Sequence, residues 1–203
     1  VAVGPSAGKV SQGDYAVAVG LNAGQTSQGT QSVAVGLAAG SNAQDQDAVA
    51  VGHAAGINAQ GAASVAVGVS AGQVSQGANG VAVGRLSGYN AQGPQAVAIG
   101  YKAGYNAQGD YSVAIGQNAG YNAQGGTGQG SGTAIGREAG SNAQGQDATA
   151  VGRYAGGISQ GDTHTAIGYA AAMNSGGGAG TAIGQQAGQN SQGNYAVAAG
   201  IAA

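Results

Sequence analysis

Residues 97 to 112 read V-A-I-G-Y-K-A-G-Y-N-A-Q-G-D-Y-S, from Val97 to Ser112, and Val113 begins the same phrase again. The rest of the chain is this phrase rewritten: eleven units of 16 residues, one of 20 and a closing fragment of 7. Units start at Val1, Val17, Val33, Val49, Val65, Val81, Val97, Val113, Thr133, Thr149, Thr165 and Thr181, with the fragment at Val197. With positions numbered 1 to 16 within a unit, the consensus is Val/Thr-Ala-Val/Ile-Gly-x-x-Ala-Gly-x-Asn-Ala/Ser-Gln-Gly-x-x-Ala/Ser. A short fixed period specifies stacked supersecondary units before any local propensity is consulted. The expectation is one continuous all-β solenoid over residues 1–203, with about twelve coils.

The β-branched residues around positions 1 to 3 predict a short strand. Positions 1 and 3 share one face, and positions 16 and 2 the other. Gly at position 4 predicts a corner. A second extended stretch covers positions 9 to 12 and ends at the Gly of position 13. Asn at position 10 and Gln at position 12 recur coil after coil, so both are expected to hydrogen-bond along the axis as amide ladders. The period breaks twice. Residues 125–132 carry a four-residue insertion expected as a surface loop, and the coil at 165–180 has Gly176 where the others have Gln.

Composition narrows the function. Charged residues are 6% of the chain and the net charge is −2, so there is no basic footprint for nucleic acid or anionic lipid. No run of 18 apolar residues occurs, so this segment is not expected to insert in a membrane. Cys, Trp and Phe are absent. The core must be a thin one of Val, Ile and Ala, without disulfides or thiol chemistry. The chain opens on the first residue of a repeat and stops seven residues into another, as a segment of a longer protein would.

Both faces of the first strand avoid water, although a single-layer coil covers only one of them. The stripe represented by Val97, Ala98, Ile99 and Gly100, and by Val113, Ala114, Ile115 and Gly116, is therefore expected to pack against further copies of the same chain.

The phrases Y-S-V-A-I-G (Tyr111 to Gly116), Q-A-V-A-I-G (Gln95 to Gly100) and G-T-A-I-G (Gly132 to Gly136) resemble the head repeats of YadA-like trimeric autotransporter adhesins. Similar repeats occur in some phage and virus fibre proteins. The resemblance covers essentially the whole chain. It implies a left-handed parallel β-roll assembled as a homotrimer at a Gram-negative cell surface. Anchoring at the outer membrane would come from a C-terminal region outside this sequence. It also implies adhesion to matrix proteins (collagen, fibronectin, laminin) or abiotic surfaces, with autoaggregation. The unit here, at 16 residues, is longer than the family's commonest repeat. The matching motif is structural, so no binding residue carries over. Alternative functions are a phage or virus fibre segment, with a virion location, and an ice-binding solenoid. The ice-binding alternative is suggested by the column Thr133, Thr149, Thr165 and Thr181.

No pair of titratable groups converges, so the chain reads as non-enzymatic and without cofactor or metal. His53 and His164 lie about seven coils apart, each reading as a lone surface histidine. Asp14, Asp110 and Asp162 at position 14, with Asp45, Asp47 and Asp147 nearby, read as turn residues, since the calcium-roll nonapeptide is absent. The Gly-rich 125–132 stretch superficially resembles a phosphate cradle, but it has neither a Lys-Ser/Thr end nor a following helix, so that reading carries little weight. The remaining candidate is aromatic. Tyr89, Tyr105 and Tyr121 fall at position 9 of successive coils, with Tyr101, Arg85 and Lys102 nearby, as an exposed patch suited to recognition.

Overall fold

The structure is a computed structural model, and it describes residues 1–125 and 130–203. The chain is an all-β parallel solenoid of about twelve coils on the 16-residue period. Its contacts cluster into two compact units, Val1–Ile99 and Gly100–Ala203. The middle of the insertion expected at 125–132 lies outside the described residues.

Each complete coil contributes two three-residue strands, one at positions 1 to 3 and one at positions 10 to 12. In the first unit, Val17–Val19 pairs in parallel with Val33–Val35, which pairs with Val49–Val51, and so on up to Val97–Ile99. Thr26–Gln28, Asn42–Gln44, Asn58–Gln60, Val74–Gln76 and Asn90–Gln92 form the opposite sheet in the same way. The second unit repeats the arrangement. Val113–Ile115, Thr133–Ile135, Thr149–Val151, Thr165–Ile167 and Thr181–Ile183 form one wall. Asn106–Gln108, Asn122–Gln124 and Asn142–Gln144 open the other. Register follows the sequence period, so each residue sits against its own repeat position.

The interior is built differently from the expected Val, Ile and Ala core. Position 2 and position 7 alanines are fully buried, as at Ala18, Ala23, Ala34 and Ala39, while the Val and Ile of positions 1 and 3 point outward. The cavity of a 16-residue coil is too narrow for opposed branched side chains, and alanine fits it. The space that remains takes the position 12 glutamine.

Beyond one rung, Gln12 Nε2 donating to Gln28 Oε1 at 3.2 Å, those glutamines do not form the axial ladder read from the repeat. From Gln28 to Gln160, the position 12 glutamines are at most 2% exposed and span the interior, while Gln12 and Gln192 in the end coils are half-buried. Gln60 Nε2 donates across the coil to the Val49 carbonyl at 2.7 Å, and Gln44 Nε2 donates to the carbonyls of Val33 and Ala48 at 2.8 and 2.9 Å. An amide reaching those carbonyls holds the two walls together, which an apolar side chain of the same length could not do. The asparagine ladder does form on the outside. Asn42 donates to Asn58 at 3.0 Å, and Asn106 to Asn122 to Asn142 at 3.0 and 3.1 Å.

The corners explain the glycines. Gly52 at position 4 has φ +131°, and a Cβ there would lie 2.6 Å from the Gly68 carbonyl oxygen of the next coil. Turn acids and amides also link coils. Gln146 N–H donates to Asp162 Oδ1 at 2.8 Å, and Gly178 N–H to Asn194 Oδ1 at 2.9 Å, in keeping with the turn role expected for these residues.

Candidate functional site

The outward face of each position 1 to 3 sheet carries two columns of β-branched side chains. In the second unit Ile115, Ile135, Ile167 and Ile183 are 36–47% exposed, and Thr133, Thr149, Thr165 and Thr181 run beside them, half-buried and in register. Of the stripe expected from sequence, Val97, Ile99, Val113 and Ile115 lie on outward faces. Ala98 and Ala114 are fully buried, and Gly100 and Gly116 form corners at φ +129° and +125°. The water-avoiding outer surface is thus aliphatic, and the alanine face is already covered from within its own coil.

The tyrosine patch separates by unit. Arg85 is exposed and Tyr89 half-buried in the first unit. In the second unit, Tyr105 and Tyr121 stack with ring centroids 5.0 Å apart and planes 6° from parallel. The Lys102 ammonium lies 5.5, 5.4 and 5.6 Å from the ring centroids of Tyr101, Tyr105 and Tyr121. The ammonium is nearly equidistant from the two stacked centroids, so it lies beside the pair, within cation–π range of all three rings. A second aromatic group was not singled out from sequence. Arg153 lies 4.7 Å from the Tyr154 ring and 5.9 Å from that of Tyr169, and the two rings meet edge to face. Positions 5 and 6 of adjacent coils place these residues together, a juxtaposition readable from the period.

The two histidines differ. His53 is exposed, as expected. His164 is fully buried, which overturns its reading as a surface residue. It occupies position 16, normally Ala, Ser or Gly, and points into the space left by Gly176. A Cβ on Gly176 or Gly180 would fall 2.9 or 2.8 Å from its ring. Gln160 Nε2 lies 3.3 Å from Nδ1, and Gln192 Oε1 lies 3.2 Å from Nε2. Both amides are oriented by other bonds: Gln160 Nε2 donates to the Thr149 carbonyl at 2.9 Å, and Gln192 Nε2 to the Thr181 carbonyl at 2.8 Å. Gln192 Oε1 can only accept, so the ring carries a proton on Nε2 and donates it to Gln192, while the two hydrogens of Gln160 Nε2 go to the Thr149 and His164 carbonyls, the latter at 3.0 Å. Burial pushes its pKa below the ordinary histidine value, and the Gln192 bond opposes that only in part. Among the described residues no three His, Cys, Asp or Glu side chains converge as a metal site would require.

The fold and these surfaces define a class: a coil-by-coil parallel β-solenoid whose variable positions are displayed outward from a fixed frame. Residues 91–119 match the YadA head domain repeat in two copies, consistent with the resemblance carried by the S-V-A-I-G phrases. That family is of the adhesin, structural type, and it is not an enzyme family. No curated protein and no solved structure matches the chain.

Proposed function

We propose that this chain is a head segment of a trimeric cell-surface adhesin, presented by a Gram-negative cell. Three copies would pack side by side and make many weak contacts with matrix proteins such as collagen, fibronectin or laminin, with abiotic surfaces, or with one another during autoaggregation. The observation that carries this reading is the aliphatic outer face. Contiguous columns of outward-facing Val and Ile, the valines of the inner coils half-buried and the isoleucines exposed, exceed the scattered apolar residues that a monomer ordinarily leaves in water. Identical chains carry identical columns, so a second and third copy is the simplest cover. The repeat match at 91–119 supports the adhesive assignment. Repetition supplies avidity, since each added contact after the first is intramolecular.

Light scattering over a dilution series tests assembly. The expected mass is three times 18.8 kDa, persisting on dilution. Lysines at Ile135 and Ile167 should dissociate it while each chain keeps its strand content. A wild-type monomer refutes the trimer. Retention of protein-coated beads on collagen, fibronectin and laminin then tests adhesion directly.

A second reading rests on the four-rung column Thr133, Thr149, Thr165 and Thr181. These threonines are in register on a parallel sheet, beside Ile135, Val151, Ile167 and Ile183. A regular Thr/Ile face at the ~4.8 Å strand spacing suits ordered water. Thermal hysteresis in the wild type, abolished by Thr149→Tyr, would establish that function instead.

A further inference from the structure

Two axial ladders of the second unit stop one coil apart. Tyr105 and Tyr121 stack at position 9, but the next coil has Ser141 there, its hydroxyl turned to the Gly157 carbonyl at 3.0 Å. The Asn106–Asn122–Asn142 ladder ends because the register opposite Asn142 is Ile158. The outer face of the Tyr121 ring therefore lacks a third ring, and the Asn142 Nδ2 donor lacks a further asparagine. A cavity of about 320 Å³ opens at this point, lined by Lys102, Asn118, Tyr121, Glu138, Ser141 and Asn142. That volume is at the small end for ligand sites, the scale of one compact ring.

Position 6 supplies one side of the cavity with a cation, an amide and an anion from three consecutive coils: Lys102, Asn118 and Glu138. Lys102 lies beside the tyrosine rings, and Glu138 Oε1 accepts from Arg137 Nε at 3.2 Å. Opposite charges at the two ends favour no net charge in a guest. Asn118 Oδ1 lacks a donor but is enclosed beyond the reach of a guest, so the polar groups open to one are those of Lys102, Glu138 and Asn142.

We propose that this notch is a binding subsite for a neutral pyranose unit of a glycan, seated on Tyr121 as the missing rung. The C–H face of the sugar covers the ring, and its hydroxyls meet the Asn142 amide, the Lys102 ammonium and the Glu138 carboxylate. An aromatic side chain of a protein partner would fill the same ring face, but it would cover Glu138 and Asn142 without bonding to them, so the polar lining favours the sugar. The proposal deepens the adhesive reading and rests on it, since it names what one patch of the surface recognises.

The test is saturation-transfer NMR on the full chain with the methyl glycosides of glucose, galactose, mannose and N-acetylglucosamine. Transfer to the ring protons of at least one glycoside is expected, with a dissociation constant on the order of 1 mM. Tyr121→Ala and Ser141→Tyr should each abolish it. Ser141→Tyr extends an existing tyrosine column and should keep wild-type circular dichroism. Glu138→Gln should weaken binding about tenfold. Absence of transfer from all four glycosides, transfer unchanged by Ser141→Tyr, or transfer seen only with N-acetyl-tyrosinamide would overturn the proposal. Bead retention on matrix proteins is scored in parallel. Retention without glycoside binding sinks the subsite and spares the adhesive reading, whereas glycoside binding without retention supports the subsite and counts against adhesion to matrix.

Discussion

Replacing His164 by alanine should destabilise the second unit, and restoring the consensus of its coil should repair the damage. The imidazole is fully buried and fills the volume left by Gly176, so His164→Ala opens a cavity in the interior. Truncations of this size cost about 3 kcal/mol. The loss of a donor to Gln192 Oε1 adds little, because the corresponding oxygens of Gln144, Gln160 and others lack a donor already. The repair follows from the other coils. There a position 12 glutamine fills the interior, and position 8 is Gly because a Cβ would strike the amide, as at Gly72, 2.5 Å from Gln76 Oε1. In the coil without the glutamine, position 8 is Ala172. The triple variant His164→Ala, Ala172→Gly, Gly176→Gln should therefore lie within about 1 kcal/mol of wild type. Urea unfolding followed by circular dichroism at pH 7.5 and pH 5 reads both effects. The folded-state pKa of His164 is lowered, so the unfolded chain takes up the proton first. Its stabilisation is complete above the unfolded value of about 6.5 and is lost as pH falls from there toward the folded value, with a slope of at most ~1.4 kcal/mol per pH unit. The triple variant keeps His53 and should lose only this component of the slope. A triple variant as unstable as His164→Ala, or one with the full wild-type slope, would refute the compensation.

Gly52→Ala should cost about 3 kcal/mol or more, because φ is +131° and the new Cβ meets backbone, whereas Gly193→Ala meets nothing within 4 Å and should stay within about 0.5 kcal/mol. Thermal unfolding midpoints rank the two, and equal shifts would contradict the stacking role of the corner. Within one coil, Gln60→Ala should cost about 2–3 kcal/mol through a cavity and lost bonds to the Val49 and Ser64 carbonyls, against about 0.5 kcal/mol for Asn58→Ala on the outer ladder. A reversed order would place the structural weight on the outer amides.

The period, the strand positions, the Gly corners and the outer asparagine ladder were all legible, because each depends only on spacing and local conformation. The direction of the side chains was harder. Val and Ile are the more hydrophobic residues, and ordinary patterning would turn them inward. Yet the coil interior selects by volume, and Ala at position 2 in every unit marks the inner face. Position 1 changes from Val to Thr after the insertion, which only an outward position tolerates so easily. Gln at position 12 was seen as a column, but recurrence alone does not distinguish an axial ladder from a cross-coil strut. His164 was separable from His53 by its surroundings in the repeat. A bulky residue at position 16, Gly176 in place of the usual glutamine, Ala172 at position 8 and Gly180 one coil on all stand together there. The tyrosine column was legible as well, but the notch was not, because it consists of what Ser141 and Ile158 fail to continue.

The same frame explains how such a chain acquires binding surfaces. Non-glycine residues at positions 6 and 15 adopt left-handed conformations, such as Asn22, Ala38 and Gln31 with φ between +53° and +60°. Each such residue costs about 1 kcal/mol in isolation. Their N–H groups donate to the preceding coil: Asn22 to the Pro5 carbonyl at 3.0 Å, Ala38 to Leu21 at 2.8 Å, and Gln31 to Asp14 at 2.8 Å. The strained turns are thus held by backbone bonds between coils, and the identity of the side chain they carry is left free. Leu86, Lys102, Asn118, Glu138 and Tyr154 all occupy position 6 with nearly the same φ. Exchange at positions 5, 6, 9 and 14 therefore changes the surface chemistry with little effect on the fold, and where a run of like side chains ends, as the tyrosines do at Ser141, the outer surface is notched.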